Sequence, residues 1–417
     1  MRRLGPALGV RDFSRLWLGV LGWDLSLQMV ELVIGWQVYV YHHNALYLGL
    51  IGLAEFIPML LLSLPAGHLA DRHSRRLILA SALCLSAIVA GALAAMSSAG
   101  VHSLWPFLAL ALCAGISMAL GSPASRSLPP VLVPPRLLEN AVTLRNASMY
   151  TSTMVGPALG GLLYPISPSL TYGVAAVVML VGAGSVLTIH HREEPGRDDG
   201  SAADRRSVLA GLRFIKETQI LFGAILLDLL GVLFGGAIAL LPLYASSILH
   251  VNTVGLGFLR AAPSVGALGA AVVITRTQIG RHAGRKLLIA VGAFGAFTVV
   301  FGLSRTFWLS LIALAGTGFA DLFSMNIRGT TSALATPDEV RGRVTAVEMV
   351  FISASNELGS FESGLAAFLV GAVPAVVAGG VITMALAVAW KRLFPDLAKL
   401  DRISEVAPPA RSEPVVA

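Results

Sequence analysis

The sequence is built from apolar stretches of about 20 residues that recur along most of its length. A helix of about 20 apolar residues spans the hydrocarbon core of a bilayer, where backbone hydrogen bonds must be satisfied internally. Charged residues make up 13% of the chain, against about 25% in soluble domains. A soluble protein with a very large core does not require this recurrence, so an all-α membrane protein is predicted.

Twelve spans fit the chain, six on each side of a long polar segment at residues 191–218. We interpret this segment as a cytoplasmic linker that ends in a short amphipathic surface helix. The predicted organisation is a six-helix bundle over residues 1–190, the linker, a second six-helix bundle over residues 219–394, and a loose tail over residues 395–417. The predicted spans are residues 15–41, 45–70, 77–98, 103–125, 141–164, 168–190, 219–248, 253–275, 286–304, 306–328, 343–370 and 372–394.

The positive charges predict the orientation. All but four of the 30 lysine and arginine residues fall in segments on one predicted side. Segments rich in these residues stay in the cytoplasm, so both termini are expected there, in a bacterial inner membrane. The net charge of +7 comes without a basic stripe interleaved with aromatic residues, so no nucleic-acid partner is expected.

A polar hairpin interrupts the apolar pattern at residues 67–76. Its spacing resembles the cytoplasmic signature between the second and third helices of major facilitator transporters. The matching residues with predicted roles are Gly67, Asp71, Arg72, Arg75 and Arg76.

The resemblance implies two pseudo-symmetric six-helix bundles, alternating access and a conformational latch at this hairpin. In such a latch Asp71 bonds Arg126 at the end of the fourth span. It also faces the start of the eleventh span near Arg343, where the helix N-terminus carries a partial positive charge. A weak internal repeat agrees with two related halves, since Asp228 occupies the position equivalent to Asp24.

A second motif lies in the fifth span, where Gly156, Pro157, Gly160 and Gly161 resemble the glycine–proline motif of major facilitator antiporters. The resemblance implies export. Small residues that only pack a helix pair would produce the same pattern. Further stretches, such as residues 36–39, 255–263 and 355–364, resemble the subgroup of bacterial efflux proteins that includes the enterobactin exporter.

Ionisable side chains within the spans form the predicted site. Each costs about 2.5–3.5 kcal/mol to insert, so each needs a reason. Asp24, Gln28 and Glu31 share one helix face, and Arg260 is expected to neutralise a carboxylate. Mutual pairing that locks helices together would also explain these groups, whereas a buried carboxylate can exchange protons near neutral pH. The predicted substrate or proton-coupling residues are Asp24, Gln28, Glu55, Arg145, Asp228, Arg260, Asp321, Asn356, Glu357 and Glu362.

The resulting functional hypothesis is a proton-coupled exporter of a small, partly apolar molecule such as a siderophore or drug. A proton-symporting importer on the same fold, a membrane-embedded transferase and a non-transporting sensor are the alternatives. The sequence shows no catalytic, phosphate-cradling or metal-ligand spacing, so no enzyme activity, cofactor or metal is expected. The expected partners are the substrate, protons and membrane lipid, and the chain is expected to be a monomer.

Overall fold

The computed structural model describes residues 5–190, 205–277 and 281–401, and α-helices dominate this part of the chain. Where apolar side chains and lipid surround the backbone, its amide and carbonyl groups must hydrogen-bond within their own segment. This requirement favours long helices. Turns between them are set by local geometry, as where the Asn44 side chain accepts a hydrogen bond from the Leu46 amide at 2.9 Å. The helices before residue 191 are α1 (Arg11–His42), α2 (Ala45–Arg72), α3 (Arg75–Ser98), α4 (Leu104–Ser127), α5 (Leu138–Leu163) and α6 (Pro168–Leu187).

A surface helix, α7 (Arg205–Glu217), opens the second half of the described chain. Its Ile215 is buried in an apolar cluster, and its Gly211 lies against the backbone of Arg343. The helix therefore lies against the second half of the protein. The long helices that follow are α8 (Gln219–Gly235), α9 (Thr253–Thr277), α10 (Ala283–Leu303), α11 (Phe307–Ala335), α12 (Asp338–Val370) and α13 (Ala372–Leu393).

The all-α membrane fold is confirmed. Ten helices among the described residues are long and apolar enough to cross a membrane. The predicted fifth and eleventh spans are the long helices α5 and α12, but they are not among these ten. The number of twelve spans therefore stays a prediction.

The predicted seventh span, residues 219–248, is not one continuous helix. Helix α8 ends at Gly235, and a 3₁₀ turn (Ala237–Leu240) and a π-helical turn (Tyr244–Ile248) occupy most of the remaining length. Two successive glycines weaken the helix at this point. Non-helical backbone at membrane depth is tolerated only where it is buried in protein or lines a cavity.

The helices alternate in direction, so their turns fall on two faces. We call the face with the turns at residues 43–44, 99–103, 164–167, 249–252, 304–306 and 371 the His43 face. The opposite face carries the α2–α3 hairpin, and we call it the Arg72 face.

Two apolar clusters show how the halves meet. The larger cluster contains residues of the first half together with residues near the His43 face of the second half, such as Tyr244, Leu256 and Phe301. The smaller cluster lies only in the second half, near the Arg72 face, and includes Leu227 and Trp390. The halves therefore share a continuous core at the His43 face, whereas the core near the Arg72 face of the second half is separate.

The first residues of the predicted loose tail are docked rather than loose. A short helix, Pro395–Lys399, buries Leu397, and the segment after it caps the start of α10. The carbonyl of Asp401 accepts from the Ala283 amide at 3.0 Å, and its carboxylate accepts from the His282 amide at 2.9 Å. These bonds satisfy amides that a helix start leaves without intrahelical partners. The rest of the predicted tail, residues 402–417, lies outside the described part.

Close packing of α9 against α11 gives a first prediction. A Cβ atom on Gly318 would overlap the carbonyl oxygen of Pro263. Gly318→Ala therefore forces the two helices apart, and we expect a loss of roughly 1–3 kcal/mol in stability. Thermal unfolding of the detergent-solubilised protein measures this loss. Gly184→Ala is the control, because no atom lies within 4 Å of its added Cβ, and an equal melting temperature for the two variants would contradict the packing argument.

The docked tail gives a second prediction. The His282 amide and the Arg281 guanidinium hold the pKa of Asp401 below its ordinary value. The ionised contact is therefore present at neutral pH and is lost only as the pH falls through that lowered pKa. At neutral pH we expect Asp401→Asn to increase hydrogen exchange at residues 281–284 and 395–401. Asp396→Asn, at an exposed position of the short helix that precedes Asp401, is expected to leave exchange unchanged; equal exchange in both variants would exclude this role.

Candidate functional site

Four ionisable side chains from both halves line one cavity of about 140 Å³. Glu31 lies on α1 and Glu55 on α2, whereas Arg260 lies on α9 and Glu357 on α12. The cavity is also bounded by Ile238 and Ala239 in the 3₁₀ turn that follows α8, which explains how non-helical backbone is accommodated at this depth. We call these four side chains the inter-half cluster.

One ion pair crosses between the halves. The Arg260 guanidinium donates from Nη2 to the Glu31 carboxylate at Oε2. The side chains are 20% and 29% exposed, respectively, so water screens the pair only in part. The pair ties α1 to α9 and is therefore a contact that must break if the halves separate here.

The other two carboxylates of the cluster have no such partner. Glu55 and Glu357 have no hydrogen bond or ion pair in the described part of the chain. The Glu357 Oε2 atom lies 3.3 Å from where a Cβ on Gly52 would be, one helical turn before Glu55 on α2. Both carboxylates therefore face the cavity, and each lies within the electrostatic field of the other.

An apolar cavity of about 270 Å³ adjoins the inter-half cluster. The two cavities share the walls formed by Ile238, Ala239 and Ser360. Aromatic side chains on the far side, Phe294 and Phe301, provide an apolar surface. A charged compartment and an apolar compartment thus meet at the 3₁₀ turn.

A second cluster of charged side chains lies within the second half, nearer the Arg72 face. Arg328 pairs with Asp228 and lies 3.9 Å from Asp321. Glu348 accepts a hydrogen bond from Ser332. These residues line a cavity of about 280 Å³, which shares Val232, Asp321 and Asn356 with the apolar cavity. The three cavities therefore form a series from the Arg72 side of the second half to the inter-half cluster.

The first half holds its own charge pair. Asp24 is under the electrostatic influence of Arg145 and Arg126, and Arg145 donates to the carbonyl and hydroxyl of Ser125 at 3.3 and 3.2 Å. Gln28 packs beside Gly156 on α5. These residues are separate from the cavity between the halves.

The structure thus divides the predicted substrate and proton-coupling residues into three groups. Glu55, Arg260 and Glu357 come together between the halves, Asp228, Asp321 and Asn356 lie within the second half, and Asp24, Gln28 and Arg145 lie within the first half. Glu362 lines none of the described cavities that hold these groups.

Sequence reasoning left three members of these groups out of the predicted site. Glu31 is absent from the predicted site residues, although its spacing from Asp24 and Gln28 places all three on one helix face. Arg328 lies seven residues after Asp321, on the same helix face. Glu348 accepts a hydrogen bond from Ser332 and so joins α12 to α11.

The predicted latch residues lie at the Arg72 face. Arg75 donates to the carbonyl of Ser127 at 3.3 Å, and Arg76 donates to the carbonyl of Ile189. These bonds fix the start of α3 to the ends of α4 and α6.

The other predicted latch residues differ in what they contact. Arg126 reaches Met349 on α12, across the two halves. Arg72 and Arg343 are exposed. Gly67 and the side chain of Asp71, which complete the predicted latch, lie outside the described part of the structure.

The glycine–proline motif packs α5 between two helices. A Cβ on Gly156 or Gly160 would meet α1, 2.9 Å from the Leu25 oxygen or 3.2 Å from the Met29 oxygen. Gly161 faces α9 instead, and its carbonyl accepts a hydrogen bond from the Thr253 hydroxyl at 3.1 Å.

Pro157 makes the same inter-half contact. Its carbonyl oxygen lies 2.6 Å from where a Cβ on Gly257 would be. The motif therefore allows α5 of the first half to approach α9 of the second half closely, beside the His43 face.

Comparison with known proteins agrees with this architecture. The sequence profile described as transmembrane secretion effector matches residues 6–416. The enterobactin exporter EntS of Citrobacter koseri is 27% identical over 378 residues, which cover 88% of this chain and 86% of that protein. EntS of Shigella boydii is 27% identical over 344 residues, covering 81% and 78%.

Solved structures show the same fold at low identity. A bacterial homologue of the human lysosomal transporter Spinster, in an inward-facing and occupied conformation, has a TM-score of 0.71 at 14% identity. The match covers 93% of this chain and 98% of that one. The nucleoside transporter NupG has a TM-score of 0.67 at 14% identity, covering 92% and 99%.

The ion pair between the halves gives a third prediction. Glu31→Gln or Arg260→Gln removes the ion pair that joins α1 to α9, so we expect the closed His43 face to be weakened by about 1 kcal/mol, or about fivefold in population. Exchanging the charges, Glu31→Arg with Arg260→Glu, is expected to restore closure. Spin labels at Ser103 and Leu369, in a background without Cys84 and Cys113, report the separation of the halves.

The control for this measurement is Arg213→Gln, which breaks an exposed ion pair with Glu217 on the surface helix α7. It is expected to leave the label separation unchanged. Identical distance distributions for the wild type and both single variants would show that the pair does not hold the face closed.

Proposed function

Because the chain belongs to the transmembrane secretion effector family of major facilitator transporters, we propose that it is a proton-coupled exporter of a small, partly apolar molecule. The observation that carries the proposal is the cavity between the halves with Glu55 and Glu357 facing it. Efflux relatives support the direction, since the similar EntS proteins are named as enterobactin exporters.

The arrangement of the halves supports alternating access. At the His43 face the halves share an apolar core, and the Tyr39 and Ser247 hydroxyls lie 2.7 Å apart across them. With the positive charges placed in the cytoplasm, the His43 face is the outer one, and both termini lie inside. The conformation then corresponds to a transporter closed to the outside, with its series of cavities extending towards the cytoplasmic side.

Protons enter the cycle at the carboxylates of the cavity. Loss of a proton turns a neutral carboxylic acid into a charged carboxylate. This change alters the electrostatic interactions of the Glu31–Arg260 pair. Proton binding from the outside and substrate binding from the cytoplasm then favour different states of the same cavity. Such differential binding is what couples a ligand to a conformational equilibrium.

The hairpin at the Arg72 face completes the cycle. Asp71 is the proposed latch carboxylate, with Arg126 and the start of α12 near Arg343 as its partners. The contact of Arg126 with Met349 across the halves supports this role. In the opposite state this latch holds the cytoplasmic side closed. The protein acts as a monomer in the bacterial inner membrane.

A transport assay tests the exporter and gives a fourth prediction. In inside-out vesicles with an acidic lumen, added enterobactin or drugs are expected to accumulate and to release luminal protons. Glu357→Gln removes an exchangeable proton while keeping the shape of the side chain, so we expect coupled proton release to fall at least about tenfold. A pH-sensitive dye in the lumen measures this release.

The control is Glu362→Gln on the same helix, which changes a carboxylate that the cavity does not include. Full proton release by Glu357→Gln would exclude this residue as the coupling group. Substrate movement out of the acidic lumen together with protons would instead identify a symporting importer.

A further inference from the structure

The charges of the inter-half cluster do not balance. The cavity holds three carboxylates and one guanidinium, and that guanidinium is bound to Glu31. When ionised, Glu55 and Glu357 therefore have no cationic side chain to themselves. Uncompensated charges in a low-dielectric interior are costly, so they need a partner or must become neutral.

Among the described residues that line the cavity, the one cation, Arg260, donates its hydrogen bond to Glu31. Neither Glu55 nor Glu357 makes a hydrogen bond in the described part of the chain, although both line the cavity. The nearby Ser360 hydroxyl donates to the carbonyl of Asn356 at 2.9 Å, so its proton is already used within α12. Much of the remaining lining is apolar, including Ile34, Ile51 and Pro242. Acceptors are thus abundant in this compartment, and a ligand that fits it must donate.

The adjoining cavity is mainly apolar, although Asp321 and Asn356 also form part of its wall. It opens from the charged compartment past Ile238 and Ala239, and Phe294, Phe301 and Leu314 line it. Its volume of about 270 Å³ can be compared with the roughly 150 Å³ of an engineered cavity that binds benzene. One or two rings therefore fit within it, a short distance from the carboxylates.

We propose that the carried molecule is a cyclic, mainly aromatic amine whose ammonium group lies between Glu55 and Glu357 while its ring occupies the Phe294–Phe301 cavity. This inference rests on the proposed transport function and names its substrate class. An ammonium group supplies both the positive charge and the hydrogen-bond donors that the two carboxylates lack. Neutral and anionic molecules of the same shape supply the ring contacts without this charge, so the site distinguishes them from the amine.

A series of ligands with one ring and one chain length tests the proposal. Phenylbutylamine, phenylbutanol and phenylbutyrate carry a cationic, a neutral and an anionic group, respectively. Binding to the purified full-length protein, measured by calorimetry, is expected to be at least about tenfold tighter for the amine than for the alcohol. Equal binding of amine and alcohol, or preferred binding of the carboxylate, would overturn the proposal without any variant.

Variants then locate the ammonium group. Glu55→Gln and Glu357→Gln are each expected to weaken amine binding about tenfold while leaving alcohol binding unchanged. Phe294→Ala is expected to weaken both ligands equally, since it removes ring contacts only. Glu362→Gln is the matched control and is expected to change neither. Loss of the amine preference in Glu362→Gln, or its retention in the double variant of Glu55 and Glu357, would place the ammonium group elsewhere.

The assays separate this inference from the proposed function. Transport of enterobactin with proton release, but no preference for the amine, would leave the exporter standing and remove the amine class. Tight amine binding without accumulation of labelled phenylbutylamine above the level in protein-free vesicles would support the binding site and remove the exporter.

Discussion

A carboxylate placed at membrane depth must be paired, neutral or in contact with water, and this constraint explains the arrangement of the whole protein. Helices satisfy their own backbone groups, so the apolar stretches need nothing further from the lipid. The charged side chains do need partners, and the described structure meets this need in three places. Asp228 pairs with Arg328 within the second half, Asp24 lies under the influence of Arg145 within the first, and Glu31 pairs with Arg260 between them.

The position of each pair determines what it can do. A pair within one half, such as Asp228 with Arg328, moves as a unit and fixes the shape of that half. The Glu31–Arg260 pair joins two bodies whose described residues share an apolar core near the His43 face. In the proposed transport cycle this pair must break, and its partial exposure to water keeps it weak enough to do so.

The sequence predicted the architecture well because hydrophobic period and charge placement act locally. Bounds such as 77–98 and 372–394 differ from α3 and α13 by only a few residues. The interrupted seventh span was missed because Gly235 and Gly236 are also compatible with a continuous membrane helix, and only the neighbouring cavity explains the break. The sequence indicated which ionisable residues lie within the spans, but it did not indicate which of them come together in the structure. The partner of Arg260 lies 229 positions away on Glu31, and no helical period relates two separate helices.

Where the halves meet, glycine residues allow close approach of the helices beside the buried carboxylates. Gly52 on α2 leaves space for the Glu357 carboxylate of α12, while Gly161 and Gly257 let α5 and α9 approach at the same face. Close backbone contact joins the halves at this face, and the carboxylates lie in a compartment that adjoins the apolar cavity. In such a compartment electrostatic interactions are stronger than in water. A ligand that neutralises Glu55 and Glu357 therefore changes the energy of the closed state directly, which gives a short physical path from binding to the movement of the two halves.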